Sequence, residues 1–391
     1  MKRVVVGMIG SGFASGLHMS GYKKVYGIDT FVKAVASNGP RDVTDAFAAS
    51  YTIPDIYEDY REMLSDPEID VVDICTPPFL HEEMIVESLK AGKHVICEKP
   101  LTGFFDDAPG AGDVGKTVKK SEMYKKVVAR LENISRAVEG GDKLFMYAEN
   151  WIYAPVIQKS AQLISAKKSK ILFTRAEESH NGSHAFHAAN WKFTGGGALI
   201  RQGCHPLSAA LYLKQVEAAA RGEKIEPVSV LADCGVSAAS LTGDERKYID
   251  SNPVDVEDIA NVTITFSDGT KALITSCDML LGGMRNSVDV YTNDSVHYCK
   301  MNPNDTMTVY HGDENGLDDV FFAEKLGTKQ GWSYVGIGDE TARGYAGEMQ
   351  DFAECVAENR QPLANFKVAY DTAKIIYAAY QSAEENRRIN L

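Results

Sequence analysis

No run of this sequence approaches the ~18–20 continuous apolar residues of a membrane span, although 44% of its 391 residues are hydrophobic. Net positive charge is missing too. The formal net charge of -13 argues against nucleic acid or an anionic membrane as the main partner. Paired cysteines are absent. Cys75, Cys97, Cys204, Cys234, Cys277, Cys299 and Cys355 are scattered, odd in number and form no Cys-x-x-Cys. Such a set speaks against a disulfide framework and for a reducing compartment, so a cytoplasmic location is expected. The first residues lack the cationic start and long apolar core of a secretion signal, since Arg3–Ile9 reads as a strand. There is no repeat and no low-complexity tract. The length suits two domains, expected over 1–150 and 151–391.

What is present begins with Val4–Ser15, a short apolar run ending in Gly10-Ser11-Gly12. A buried parallel strand turning tightly into a helix reads this way. Gly10 makes the turn, and Gly12 lets a pyrophosphate approach the positive end of the helix. Ser15 stands at the third position of the fingerprint, where Gly or Ala is usual. Alone the match is weak; strand–helix units after it give it weight. Gly16–Tyr26 reads as a helix, Thr30–Ser37 as a strand, Asp42–Tyr51 and Tyr57–Leu64 as helices. Strand Ile69–Cys75, helix Glu82–Ala91 and strand His94–Cys97 follow, the last delivering Glu98-Lys99-Pro100 where ligands of doubly wound sheets bind. At the second strand's tip stand Ser37 and Asn38, with Arg41 beyond. No carboxylate is there to exclude a 2′-phosphate, and Arg41 either contacts such a phosphate or starts the next helix. NAD and NADP are therefore equally open.

Phe104–Ser121, rich in Gly, Asp and Pro, reads as a surface insertion or lid. Helix Met123–Glu139 and strand Lys143–Ala148 complete the unit. Beyond Pro155 the chain becomes β-rich, with strands expected at Ile171–Glu177, Val228–Cys234, Ala260–Phe266, Lys271–Cys277, Ser287–Thr292 and Met307–Tyr310. Ser267–Thr270 forms a hairpin turn. Two amphipathic helices, Tyr345–Asn359 and Val368–Asn386, end the chain. The expected fold class is α/β: a Rossmann parallel sheet, then an α+β domain on an open, mostly antiparallel sheet.

Four ordered motifs carry a family likeness. They are Gly10-Ser11-Gly12-Phe13-Ala14-Ser15 with His18; Asp70–Pro78 with His81; Gly92-Lys93-His94-Val95-Ile96-Cys97-Glu98-Lys99-Pro100-Leu101; and Gly195-Gly196-Gly197 leading to Gly203-Cys204-His205. The tail, with Tyr345, Glu348, Phe352 and Pro362, is similar as well. Together they resemble the Gfo/Idh/MocA oxidoreductases over nearly the whole chain. The resemblance implies NAD(P)-dependent oxidation or reduction of a sugar, cyclitol or related polyol, and an open sheet that serves as a substrate wall and often as a subunit interface. A homo-oligomer is thus expected. Some relatives use transient oxidation to cleave glycosides. The family commonly has Asp four residues before the catalytic His, where this chain has Arg201. A guanidinium stays protonated and cannot take that role.

Hydride transfer requires that the alcohol proton leave and that developing charge on oxygen be stabilised. Lys99 suits the second task, and would relay a proton if burial depressed its pKa. His205 suits the first. The expected cofactor residues are Gly10, Gly12, Phe13, Ala14, Ser37, Asn38, Arg41, Thr76, Pro77, His81, Glu98 and Lys99. His81 faces the cofactor or begins its helix, and Pro100 raises the question of a cis bond that fixes the direction of Lys99. The polar run Glu177–His187 could hold a metal, but lacks a helical His-x-x-x-His. A sugar-binding loop is the expected role and no metal is expected. Substrate contacts are assigned to Lys99, Asn150, Tyr153, His180, His184, Trp191, Arg201 and His205, with Glu149 and Trp151 as further pocket candidates. The expected reaction oxidises a secondary hydroxyl of a sugar, glycoside or cyclitol, with C3 of a glycoside as the named position. A uronate is the competing substrate, because Arg201 could pair with a carboxylate. A redox-assisted glycosidase and a non-catalytic dinucleotide-binding protein are the alternatives.

Overall fold

A computed structural model of the chain describes residues 2–105, 113–183, 185–302, 307–320, 322, 327–335 and 338–391. Its first sheet has six strands: β1 (Arg3–Ile9), β2 (Asp29–Ala36), β3 (Asp55–Tyr57), β4 (Val71–Ile74), β5 (His94–Glu98) and β6 (Phe145–Ala148), in the order β3-β2-β1-β4-β5-β6. All pairings are parallel. Helices cover both faces, so the strands are apolar almost throughout; Val6, Met8, Val72, Ile74, Val95 and Ile96 are buried. The strand order reverses between β1 and β4, which opens a crevice beyond their carboxyl ends. The chain leaves β1 through Gly10, at φ +109°. A Cβ there would stand 2.5 Å from the Cys75 carbonyl oxygen, so the turn requires glycine.

The second sheet runs β12 (Val296–Lys300), β11 (Arg285–Thr292), β7 (Ile171–Ser179), β10 (Lys271–Cys277), β9 (Ile259–Phe266), β8 (Pro227–Gly235), β15 (Ile389–Asn390). It is antiparallel except where β7 pairs with β10. One face carries Val262, Ile264, Ala272, Ile274 and Val288, all buried beneath helices Cys204–Arg221 and Phe366–Glu385. The opposite face, with Phe173, Leu273 and Tyr291, is half-exposed. That alternation is what a one-sided antiparallel sheet demands. A separate hairpin joins β13 (Met307–His311) to β14 (Gly331–Val335).

The C-terminal helices return to the first half. Helix Tyr345–Glu358 lies against helix Phe13–Tyr22, where Gly21 permits close approach: a Cβ there would stand 2.8 Å from the Tyr345 carbonyl oxygen. Its other flank meets Asn150–Tyr153, with Asn150 Nδ2 donating to the Arg343 carbonyl at 2.9 Å. Helix Phe366–Glu385 runs along Lys120–Glu139 and against β8.

Three expectations change. Tyr57 ends a strand, and the helix after it starts at Tyr60 because the Asp59 side chain accepts the Arg61 amide as its cap. Helices Pro155–Lys167 and Cys204–Arg221 occupy a stretch read as mainly β. Their apolar residues reach too far around the helix to leave a clean one-sided period; Cys204–Leu213 is continuously buried. The described ends of the Phe104–Ser121 segment are anchored rather than loose. Phe104 N donates to the Tyr377 hydroxyl at 2.6 Å, and Gly115 N to Asp255 Oδ2 at 2.8 Å. The middle of that expected lid, 106–112, lies outside the described residues. All seven cysteines are free. Among the described residues, no helix is long and apolar enough to cross a membrane.

Candidate active site

The crevice at the switch point is a cleft of about 590 Å³. Gly10, Gly12, Ser37, Asn38, Thr76 and Pro77 line it, as expected of cofactor residues. Two local features suit a dinucleotide. No side chain caps helix Phe13–Tyr22, so its first amides are left for an anion. A Cβ built on Gly12 meets nothing within 4 Å, so the space a pyrophosphate needs is open there. Phe13, 78% exposed, and Ala14 follow in the first helical turn and are not among the residues lining the cleft. Arg41 does not line the cleft. It pairs with Asp45 at 2.8 Å and lies 3.6 Å from Glu58, which does line the cleft with Asp59. His81 is also placed away from the cofactor. It is fully buried, its Nδ1 3.0 Å from the Pro100 carbonyl and its Nε2 2.9 Å from that of Thr76. It ties the two turns that flank the crevice together.

The end of β5 carries Lys99, the expected reactive cation. The Lys99–Pro100 bond is cis. Lys99 Nζ donates to the Arg201 carbonyl at 2.9 Å, and its backbone N–H donates to Glu98 Oε2 at 2.8 Å. Burial works against the ammonium, but the Cys204 sulfur and the Glu98, Glu178 and Glu149 carboxylates outweigh it and hold Lys99 above the usual amine value. The condition for a proton-relaying Lys99, a pKa depressed by burial, is not met, since the shift runs upward. Glu98 is stabilised as an anion: burial opposes ionisation, but His18, Lys99 and His205 overcome it. Behind it, His18 Nδ1 sits 2.9 Å from Asp73 Oδ2, and Nε2 3.3 Å from Glu98 Oε1.

His205 stands on a carboxylate of its own. Its Nδ1 lies 2.6 Å from Glu149 Oε1, and its ring stacks on Trp151 at 5.8 Å and 16°. An imidazole whose Nδ1–H is donated to a carboxylate presents its Nε2 lone pair as the base. Glu149 thus stands where a carboxylate can orient the imidazole, and residue 201 does not. The Arg201 side chain points instead to Asp278, with which it forms an ion pair, and Gln202 Nε2 donates to the same carboxylate at 2.8 Å. Both Arg201 and Asp278 line a pocket of about 250 Å³ of mixed character, with Asn190 and Ser251 but also Ala188, Val254 and Val256. Glu178 is buried, and burial raises its pKa while His205, Lys99 and Arg343 pull it down. It was read only as part of a polar run; its position on β7, beside β10, brings it to Lys99 and His205.

Other expected substrate contacts stand elsewhere. Tyr153 is core: its hydroxyl donates to Asp351 Oδ2 at 2.8 Å and accepts from the Ala364 amide at 3.0 Å. Trp191 is 2% exposed and packs on Tyr377 and Tyr380 rather than offering a face to a sugar. Asn150 spends its amide on Arg343. His180 is buried, accepts from Gly182 N at 3.0 Å and lies 3.9 Å from Asp278. His184 lies outside the described residues. Among the described residues, the side-chain trios close enough to share a metal are His18–Asp73–Cys75 and Glu149–Cys204–His205, neither of them in the Glu177–His187 run.

Comparison with known proteins follows the same division. The family model described as "Oxidoreductase family, NAD-binding Rossmann fold" matches residues 4–123, and "GFO/IDH/MocA C-terminal domain" matches 161–295. The chain is 34% identical over 110 residues to the uncharacterised oxidoreductase YrbE of Bacillus subtilis, covering 28% of this chain and 31% of YrbE. It is 24% identical over 417 residues to levoglucosan dehydrogenase of Pseudarthrobacter phenanthrenivorans, covering 100% of this chain and 99% of that protein. A solved levoglucosan dehydrogenase complex with NADH and levoglucosan superposes with a TM-score of 0.73 at 21% identity, covering 100% and 99% of the two chains. GenD2 from gentamicin A biosynthesis, in complex with NAD, gives 0.77 at 19% identity over 100% and 97%. At these identities the solved structures establish the shared fold.

Proposed function

The chain belongs to the GFO/IDH/MocA family of NAD(P)-dependent oxidoreductases acting on CH–OH groups, and on that premise we propose that it oxidises a secondary hydroxyl of a neutral sugar, glycoside or cyclitol, with C3 of a glycoside as the candidate position. When bound, the nicotinamide supplies the acceptor for the hydride. Lys99 donates a hydrogen bond to the reacting oxygen and stabilises charge as it develops. His205 Nε2 takes the hydroxyl proton, with Glu149 holding Nδ1 and balancing the imidazolium that results. The C–H bond breaks with its electron pair leaving as hydride, the O–H bond breaks to the imidazole, and a carbonyl forms.

The observation that carries this reading is that Lys99 Nζ is held on the Arg201 carbonyl, four residues before His205, whose Nδ1 is held on Glu149. A neutral polyol is favoured over a uronate because the Arg201 guanidinium already faces Asp278. A paired donor and acceptor suits hydroxyls, and leaves little net charge for a carboxylate. Levoglucosan dehydrogenase, by its name, acts on an anhydrosugar, which is consistent with this class. The uncovered face of the second sheet, with Phe173 stacked on Tyr291 at 5.8 Å and Tyr298 67% exposed beside them, is the candidate surface for self-association. The test is a panel of simple sugars, glycosides, uronates and cyclitols with NAD and NADP, product position being read by NMR. A neutral polyol should be turned over. Uronates alone, or a simple non-carbohydrate carbonyl alone, would overturn the substrate class.

A further inference from the structure

Helix Tyr345–Glu358 is a wedge. Tyr345 and Met349 face Gly21 of helix Phe13–Tyr22, one turn from His18, while Gly344 and Gly347 face Asn150–Tyr153, next to Glu149. Glu348 lies between these two contacts, in the first turn of the wedge. It is 1% exposed, and among the described residues neither carboxyl oxygen has a hydrogen-bond partner. Glu149 has its own unpaired buried atom, Oε2, since only Oε1 is used by His205. Buried polar atoms without partners are rare, and several around one point mark a site for internal water.

The charges that bear on Glu348 give this cluster a direction. Burial pushes its carboxyl well above the usual range; His18 draws it back, and Glu98, Glu149 and Asp73 push it further. Tyr153, bonded to Asp351, and Tyr345, with Arg343 5.8 Å over its ring, are further titratable and charged groups near it. An acid that keeps its proton is both a donor and an acceptor. Glu149 Oε2 lacks a donor among the described residues. His18 keeps Nδ1 on Asp73, while its buried Nε2, 3.3 Å from Glu98 Oε1, has no hydrogen-bond partner among the described residues and can donate.

We propose that Glu348 is a positioning residue: through internal water it donates toward Glu149 Oε2 and accepts from His18, joining the carboxylate behind His205 to the imidazole behind Glu98 and Lys99. The bridge would hold the two halves of the reaction centre in one register. This rests on His205 as the base, but its test uses neither substrate nor cofactor, so failure of the redox reading would be seen separately.

Glu348→Gln keeps a donor and an acceptor; Glu348→Leu keeps neither. The His205 Cε1–H resonance, assigned by its loss in His205→Asn, is titrated in all three proteins. The native and Glu348→Gln curves should coincide, and Glu348→Leu should shift the midpoint upward by about one unit, because Glu149 loses a donor and holds the imidazolium more tightly. A shift in both variants, or in neither, contradicts the bridge. Should the leucine variant fail to fold, infrared difference spectra of native against Glu348→Gln decide the point. A protonated-carboxyl stretch present at neutral pH and lost in the glutamine variant is the expected result. No such loss means an ionised Glu348 and ends the proposal.

Discussion

Glu98 and Lys99 leave the same strand one after the other, whereas Arg201 meets Asp278 77 residues further on and His205 meets Glu149 56 residues back. The first sheet delivers its reactive groups through chain direction: a parallel strand ends, and whatever follows stands at the crevice. The second half assembles its groups by pairing across elements, with the sheet and the long helix Cys204–Arg221 as scaffold. The difference has a physical consequence. Groups of the first kind depend on turns that admit few residues, as at Gly10. Groups of the second kind depend on a partner, and fail when the partner is removed.

The largest expected effect comes from breaking one such pair. Arg201→Ala would leave Asp278, 3% exposed, without its cation. Urea unfolding should show a loss of about 3 kcal/mol, the scale of stranding a buried charge. The Arg201 carbonyl that holds Lys99 is kept in this variant. A loss under about 1 kcal/mol would mean that Asp278 is satisfied by Gln202 and the backbone, and that the pair is dispensable.

A slightly smaller effect sharpens the comparison within the chemistry. Glu149→Gln keeps the shape of the pair but removes the charge that balances the imidazolium. Turnover of a compound accepted in the sugar panel should fall about 10²-fold, in the range of general-base contributions. Binding of NADH, followed by fluorescence, should not change, because the crevice is built by the other half. Equal loss of binding and turnover would erase the distinction between the halves.

The smallest effect concerns pH. Burial disfavours the His18 cation, but Asp73 and Cys75 outweigh it, so its folded pKa lies above the unfolded value. Its stabilising contribution is complete below about pH 6.5 and is lost as pH rises through the folded value. Glu348 acts in the same sense: its proton is held more tightly when folded, so stability falls as pH rises from the unfolded carboxyl range toward the raised value. Melting temperature should therefore be higher on the mildly acidic side of neutrality than on the alkaline side. His18→Gln should flatten the alkaline decline; an equally steep decline would remove His18 as its cause.

The same contrast explains what could be read before the structure. The glycine turn, Thr76-Pro77 and Glu98-Lys99 were legible because each is a local run whose place follows from strand direction. Glu149 was visible only as a polar residue where the β-rich half begins; its partner at His205 is a long-range event with no local signal. Asp278 gave no signal at all, although it answers the question that Arg201 raised. Tyr153 and Trp191 looked like sugar-facing aromatics because composition does not say which side of a helix faces the core. Helix Cys204–Arg221 was hidden by its own burial, as no polar stripe marks a period. Glu348 was noticed only as part of a familiar tail, since a wedge between two helices is not written in spacing.

The central claim is that Lys99 acts on the reacting oxygen and not on the cofactor. The most direct measurement is Lys99→Met, with NADH affinity and single-turnover rate determined on the same preparation. Cofactor affinity should stay within a few-fold of native, and the rate should fall by about 10²–10³, the effect of removing one donor from a developing oxyanion. A native rate, or a loss explained wholly by weaker cofactor binding, would contradict it.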